Sequence, residues 1–487
     1  MPIVPLWGVG IKGKSSNVSA QRRLNLYAES YSPADKSPYV LYNRPGLRPY
    51  ALASDSFAPP YGSGPLRGMI QSTGYSYGQY LFYAQGDQLR VVTLAGVSTP
   101  LTFSPPTPVQ GDDPVSMADN GFGILMVDGY NGFHVEYLAG NTFNTTLLGS
   151  GASAAFPLGA DSVTFIASRF VVNDPSNPGR FYWSALNDGT TWGSLDFATA
   201  ESSPDPLVAV WECRGELVLL GVASTEFWSP TSDTSVFSRI GGSGIQWGLG
   251  AKNSVAKYND GLIFLGRNAL GELQTVILRG YQAQIVSTPD LDYDINNDPD
   301  ATGATAFTMT IAGHSFYVLN LSEKTWAYNL TTGEWDEWQT DDGRYAGNLG
   351  LAVGGGSYLI ADYRNASVYT ADDEYLLDGT TYIARQVDTS HSFHNLDRMT
   401  VWELILDIET GVGLNDGQGG NPQMMAQVSR DGGHTWGNEM WQQMGLMGQY
   451  KRQLTWNRLG NARDFVFRFR VSDPVKVVFI NAALNVG

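Results

Sequence analysis

A short apolar strand, a Gly- or polar-rich turn and a second strand recur seven times along this chain. The first strands read GQYLFYA from Gly78, GILMVD from Gly123, SRFVVND from Ser168 and GELVLLG from Gly215. They continue as GLIFLG from Gly261, HSFYVLN from His314 and SYLIAD from Ser357. With Tyr80, Ile124, Phe170, Leu217, Leu262, Phe316 and Tyr358 as register marks, successive steps are 44, 46, 47, 45, 54 and 42 residues. A period of about 40–50 residues with four strands per unit is the spacing of a β-propeller blade. One four-stranded sheet cannot cover both of its faces, so such units stack around an axis and close into a ring. The runs are too short for helices and most are bounded by Gly or Pro. Seven blades fit best, and six or eight stay within the spacing.

Composition agrees with a mainly β chain. Of 487 residues, 43% are apolar and 12% aromatic, but only 16% are charged, with 56 Gly and 24 Pro. That balance excludes a coiled coil, a charged helical solenoid and a disordered acidic chain. The formal net charge of −17 disfavours tight non-specific binding to nucleic acid. Cys213 is the only cysteine, which excludes an intrachain disulfide and points to folding in a reducing compartment. The N-terminal MPIVPLWGVGIKGK lacks the basic start and uninterrupted apolar run of a signal peptide. No apolar run approaches the ~20 residues of a membrane span, so no membrane insertion is expected.

Three regions follow. Residues 1–60 are rich in Pro, Gly and Ser around a more periodic QRRLNLYAESY (Gln21 to Tyr31), and read as an extended arm. Residues 61–375 hold the propeller. Within them DLDYDINNDPD (Asp290 to Asp300), at the long step of 54, reads as an acidic surface loop, and Tyr328, Leu330 and Trp335 are candidates to fill a blade interface. Residues 376–487 read as a β-sandwich-like platform. Val401 to Ile408 is a buried strand there, DFVFRFRVSD (Asp464 to Asp473) alternates with period two, and KVVFINAALNV supplies the last strand.

The sharpest local motif is the turn Ser429-Arg430-Asp431-Gly432-Gly433-His434-Thr435-Trp436, which resembles the Asp-box S-x-D-x-G-x-T-W. Asp431 can accept backbone N–H bonds within the turn, Gly433 can take φ > 0, and Trp436 is expected to anchor the next strand in the core. Ala185-Leu186-Asn187-Asp188-Gly189-Thr190-Thr191-Trp192 is a degenerate second copy. Asp-boxes occur in sialidases, but the box is a structural turn away from the chemistry. Gly8 to Ser15 satisfies G-x-x-x-x-G-K-[ST], yet no strand-to-helix context surrounds it, and a chance match in a glycine-rich arm is the better reading. Asp290, Asp292, Asp294, Asn296 and Asp298 begin like a calcium loop, but Ile295 replaces the turn glycine and Thr302 the bidentate Glu. His134, His314, His391, His394 and His434 form no zinc motif, and no G-x-S-x-G elbow is present. No catalytic residue, cofactor or metal is expected.

The C-terminal ELILDIETGVGLNDGQGGNPQMMAQVSRDGGHTWGNEMW and YKRQLTWNRLGNARDFVFRFRVSDPVKVVFINAAL, with GHSFYVLNLSEKTWAYNLTTGEWDEW, RRLNLYAE and RPGL, resemble the packaged-DNA stabilisation, or tail-hub and nozzle, proteins of short-tailed bacteriophages. The resemblance runs over nearly the whole chain and is most specific after about residue 305. It implies a structural virion protein with a propeller and a β-rich platform, folded in the host cytoplasm before assembly. It implies a ring, usually of six subunits, below the portal and its adaptor, which extends the DNA channel, helps retain packaged DNA and passes it out at ejection. The implied partners are further copies of the chain, the adaptor, a needle, tip, spike or fibre protein, and genomic DNA moving through the lumen without sequence-specific contacts. An acidic lumen would offer that DNA no sticky sites. The competing reading is a sialidase-like or polysaccharide-binding propeller, with the Asp-boxes and 13 Trp as its support. A hydrolase would gather Arg, Tyr and carboxylates at the central end of the propeller.

Overall fold

The computed structural model describes residues 3–4, 8, 10–32, 34–50, 64–72, 80–92, 98–138, 140, 142–200, 205–232, 236–341, 343–354, 356–395 and 397–487. Val9 of the P-loop-like match, Gly78 and Gln79 of the first apolar run, most of the first seven residues and the stretch 51–63 lie outside them.

Among the described residues seven antiparallel sheets follow one another as propeller blades. Blade 1 runs from Leu66–Gln71 to Ser98–Pro100, blade 2 from Ser116–Asp119 to Thr142–Leu147, blade 3 from Val163–Ile166 to Asp188–Thr199. Blade 4 runs from Leu207–Cys213 to Phe237–Arg239, blade 5 from Gly248–Leu249 to Gln282–Ile285, blade 6 from Thr305–Ile311 to Glu334–Thr340. Blade 7 begins at Gly347–Val353. The seven apolar runs of the sequence are the second strands of the blades, not the first.

The reason lies in burial. Alternate side chains of each second strand fill two different interfaces: Leu217 and Leu219 pack toward blade 3, while Val218 and Leu220 pack toward blade 5. A strand buried on both faces reads as a continuous apolar run. The innermost strands are less apolar; Ser116–Asp119 reads SMAD. The blade 5–6 interface holds Ile263, Leu265, Trp326 and Trp335, with Tyr328 and Leu330 against its edge. The ring closes where Leu66, Tyr83 and Val92 of blade 1 meet Leu359, Ala361 and Val368 of blade 7. Each such side chain contributes about 1.5–3 kcal/mol by leaving water.

The arm supplies the fourth strand of blade 7, beyond which the short strands Leu377–Asp378 and Thr381–Tyr382 continue the sheet. Gly46–Pro49 pairs antiparallel with Val368–Asp372, Thr370 opposite Arg48. Gly46 has no room for a side chain, since a Cβ there would lie 1.9 Å from the Tyr375 carbonyl oxygen. The last blade is therefore built from both ends of the chain's first 375 residues.

The sandwich also borrows from the arm. One sheet orders Leu26–Ser30, Tyr39–Asn43, Val478–Val486, Met399–Ile408 and Leu454–Ala462. The facing sheet contains Arg385–Asp388, Asp464–Val471, Gln423–Ser429 and Met440–Gln443. Phe465, Phe467 and Phe469 fill the core between them with Leu404, Leu406 and Phe479, while Arg468 and Arg470 stay on the other face. Arg22–Leu24 joins this second sheet to blade 6: Leu24 pairs parallel with Glu337, and Arg23 antiparallel with Val387.

The stretch expected as an acidic loop departs from that expectation. Pro289–Asn296 is α1, an α-helix. Thr288 caps it by accepting from Leu291 N, Pro289 occupies its first turn, and Asp290 and Asp292 suit the positive end of its dipole. Leu291 and Ile295, four residues apart, are fully buried in the blade 5–6 interface.

Candidate functional site

Three arginines of the arm fasten it to blade 6 and to the strand that continues the sheet of blade 7. Arg22 makes a two-point contact with Glu337, at 2.7 Å for both Nε–Oε2 and Nη2–Oε1. Arg23, 2% exposed, places Nε 2.7 Å from Asp336 Oδ1 and Nη2 3.0 Å from Glu334 Oε2. Gly10 lets the chain pass over this pair, since a Cβ would meet the Trp335 carbonyl at 2.1 Å. Arg44 is fully buried, holds both Asp378 oxygens at 2.5 and 3.0 Å, and lies over the Tyr345 ring. Its Nε donates to Asn25 Oδ1, which also accepts from Gln339 N. Asn25 sits at φ 56°, a conformation Asn tolerates better than most residues. Arg385 is buried nearby without a carboxylate, donating to the carbonyls of Asp473 and Leu376. Burial and the neighbouring Arg44 push its guanidinium down to about 9.

The Asp-box lies at the same junction. Ser429 Oγ donates to Asp431 Oδ1 and accepts from Gly433 N. Asp431 also accepts from His434 N, Thr435 N and Thr435 Oγ1. These bonds, the Thr435 hydroxyl first, hold its carboxyl down to about 2. Gly432 and Gly433 have φ of 69° and 86°. They also face the arm: a Cβ on Gly433 would lie 2.7 Å from Ala20 Cβ, and one on Gly432 2.9 Å from Asn17 Oδ1. His391 bonds the Ser16 carbonyl at 2.8 Å and Asp464 at 2.6 Å, and His434 meets Asn17 Oδ1 at 3.0 Å. The box is thus the seat of the arm.

Trp436 departs from its expected place. It is half-buried at the rim of a 460 Å³ cavity, with the Arg468 guanidinium 3.8 Å over its ring. Arg468 is held there by Asp388, so the indole stacks on a fixed cation rather than entering the core. In the degenerate copy the tryptophan does enter the core: Trp192 is buried between blades 2 and 3 and donates to the Gly189 carbonyl. The cavity beside Trp436 is walled by Lys12 and Lys14 of the arm, Tyr293 of α1, Trp326 of blade 6 and Arg468. Its charged groups are mostly matched: Arg22 with Glu337, Lys324 with Asp294, Arg468 with Asp388.

The remaining motifs separate. In the P-loop-like stretch, Gly13 N bonds Ser19 O and a turn follows rather than a helix. Lys14 lies over Tyr293. The acids of α1 are taken up locally, Asp292 by Gln274 and Asp294 by Lys324 and Trp326. Among the described residues no group of three or more His, Cys, Asp or Glu could hold a metal ion. His391 is bonded to the arm, and His394 forms an isolated bridge with Asp397. Lys252, in the short helical turn between the blade 5 strands Gly248–Leu249 and Ala256–Tyr258, reaches Asp161, just before blade 3, at 2.7 Å. Arg67 donates to the carbonyls of Asp113, Gly86 and Gln110.

A family model described as "Bacteriophage P22 Gp10, beta-propeller" matches residues 62–373, and one described as "Bacteriophage P22 Gp10, beta-sandwich" matches 384–487. The chain belongs to the bacteriophage P22 Gp10 family. That is the tail-hub and DNA-stabilisation family of short-tailed phages, so this is a phage tail structural protein. No protein in a comparison with curated proteins matches. Among solved structures, the Neurospora crassa Pan2 WD40 domain is 10% identical, covering 68% of this chain and 95% of its own, with a TM-score of 0.41. The extracellular domain of the putative hybrid two-component system BT4673 from B. thetaiotaomicron is 7% identical, covering 67% and 40%, with a TM-score of 0.40. Both P22 Gp10 matches lie C-terminal to Arg22, Arg23 and Arg44 of the arm and do not include them. No helix among the described residues is long and apolar enough to cross a membrane.

Proposed function

We propose that this chain is the hub of a short-tailed phage tail, assembling as a ring of about six copies by the family resemblance and the closed symmetry usual for such assemblies. The family match across both propeller and sandwich carries this reading. In it, the ring sits below portal and adaptor, extends the DNA channel and meets a needle, tip, spike or fibre protein. Its work is structural rather than catalytic. A ring that resists packaged-DNA pressure needs subunits whose domains do not swing. The sheet continuing from blade 6 through Arg22–Leu24 into the sandwich is suited to that. The −17 charge suits a lumen from which duplex must slide freely. The test is nuclease sensitivity of the packaged genome in particles assembled without this chain and then supplied with it. Restored protection supports the hub reading. Continued loss of DNA with the chain bound, or no binding, overturns it.

A further inference from the structure

The groove between blades 2 and 3 contains a cavity of about 420 Å³ far from the arm junction in sequence. Its wall combines the carboxylates of Glu136 and Asp188, the amide of Asn144, the exposed ring of Phe122 and the edge of His134. None of the described residues lining it is Lys or Arg. The two carboxylates come from different blades, Glu136 from Gly132–Leu138 and Asp188 from the strand Asp188–Thr199. The fold, not local sequence, brings them to one place. Glu136 bonds Asn144 Nδ2 at 3.1 Å, and Asp188 accepts from Thr190 N and Oγ1 at 2.7 Å. All three bonds are to neutral groups, and among the described residues neither carboxylate has a counter-ion there.

His134 is the second observation. It is 5% exposed, and among the described residues its Nδ1 has no hydrogen-bond partner. Its Cδ2–Nε2 edge lies against the Asp188–Gly189 turn, so tightly that a Cβ on Gly189 would fall 2.3 Å from Cδ2. Its other neighbour is Phe170, in an edge-to-face contact at 6.1 Å. Burial holds the imidazole down to about 4, so near neutral pH it adds no positive charge to the wall. Two carboxylates without a counter-ion, a neutral imidazole and an exposed aromatic ring form a wall rich in acceptors. A guanidinium carries five donors and no acceptor, can engage a carboxylate in the plane of its fork, and stacks on aromatic faces.

We propose that this cavity between blades 2 and 3 receives an arginine side chain of a protein partner, with Glu136 and Asp188 as counter-ions and Phe122 as the stacking face. A sugar would use the same amides and hydroxyls, but it would leave both carboxylates without counter-charge.

The test uses the full chain with labelled histidine. The His134 resonance is assigned by its loss in His134→Gln, and N-acetyl-argininamide is titrated at pH 7 and constant ionic strength. The isosteric neutral N-acetyl-citrullinamide is the control. Saturable movement of the His134 line with the arginine probe is expected, and none with citrulline. Glu136→Gln, on an exposed strand position, should weaken binding about tenfold, the loss of one charge-assisted hydrogen bond. Phe122→Ala should weaken it too. Equal responses to the two probes, no saturable response, or unchanged binding in a folded Glu136→Gln protein would overturn the proposal.

Discussion

Arg23 Nε lies 2.7 Å from Asp336 Oδ1, and both side chains are almost wholly enclosed. The pair ties the arm to blade 6 at the point where the blade's sheet continues into the sandwich. Removing Arg23 strips the buried Asp336 carboxyl of its partner and opens a cavity under the arm. Arg23→Ala should therefore destabilise the protein by about 3–5 kcal/mol in denaturant unfolding. Arg48→Ala, at a half-exposed pair with Asp372, should cost no more than about 1 kcal/mol. Similar losses in the two variants would contradict the central place given to the buried pair.

Two buried groups should bend the pH dependence in opposite directions. Burial raises the Asp336 carboxyl to about 7 against the pull of Arg23. The folded state thus takes up a proton there more readily than the unfolded chain. Its contribution is fully present below the unfolded value of about 4 and is lost as pH rises through about 7. His134 is the reverse: its folded value of about 4 lies below the ordinary 6.5. Its contribution is present above about 6.5 and disappears as pH falls through 4, in total about 3 kcal/mol. Compared with wild type, His134→Gln should lose stability less steeply on acidification between pH 6.5 and 4. Asp336→Asn should lose the gain that wild type makes on acidification between pH 7 and 4. Unfolding free energies at four pH values measure both slopes.

The propeller was legible because its second strands are buried on both faces, which writes a continuous apolar run such as Gly215 to Gly221 into the chain. The innermost strands were not, because SMAD at Ser116–Asp119 carries no such run. The helix at Pro289–Asn296 could have been found from Thr288, Pro289 and the Leu291–Ile295 spacing. Nothing local marks Gly46–Pro49 as a strand of blade 7, since its partner lies more than 300 residues away. The Asp-box turn was readable as a turn, but its service as a seat for residues 16–20 depends on a contact that no spacing encodes. The same holds for Trp436, whose place on Arg468 is set by Asp388 in a different strand.

The Asp-box glycines give a sharper test of that seat. Gly433→Ala puts a methyl 2.7 Å from Ala20 Cβ and adds a side chain at φ 86°. The backbone term alone costs about 1–2 kcal/mol. The variant should show faster proteolysis near residues 12–20 than Gly437→Ala, where φ is not positive and the nearest approach is 3.2 Å, to the Val428 carbonyl oxygen. Equal protection of the arm in the two variants would contradict the contact.

The clasp on blade 7 predicts where exchange should quicken when the arm is shortened. A chain beginning after residue 50 lacks the strand opposite Val368–Asp372. Amide protection there should fall to that of an exposed edge, while Glu216–Gly221 in blade 4 keeps its protection. Hydrogen exchange by mass spectrometry reads both segments in one experiment.

The central claim is that this P22 Gp10 family member builds a ring on the portal and its adaptor. The direct measurement is particle mass by light scattering for capsids that carry portal and adaptor, before and after addition of the purified chain. A saturating gain equivalent to about six copies, with the free chain at the mass of a smaller species, is the predicted result for a closed ring formed on a template. No gain in mass on such capsids, or an unlimited gain without saturation, would contradict the account.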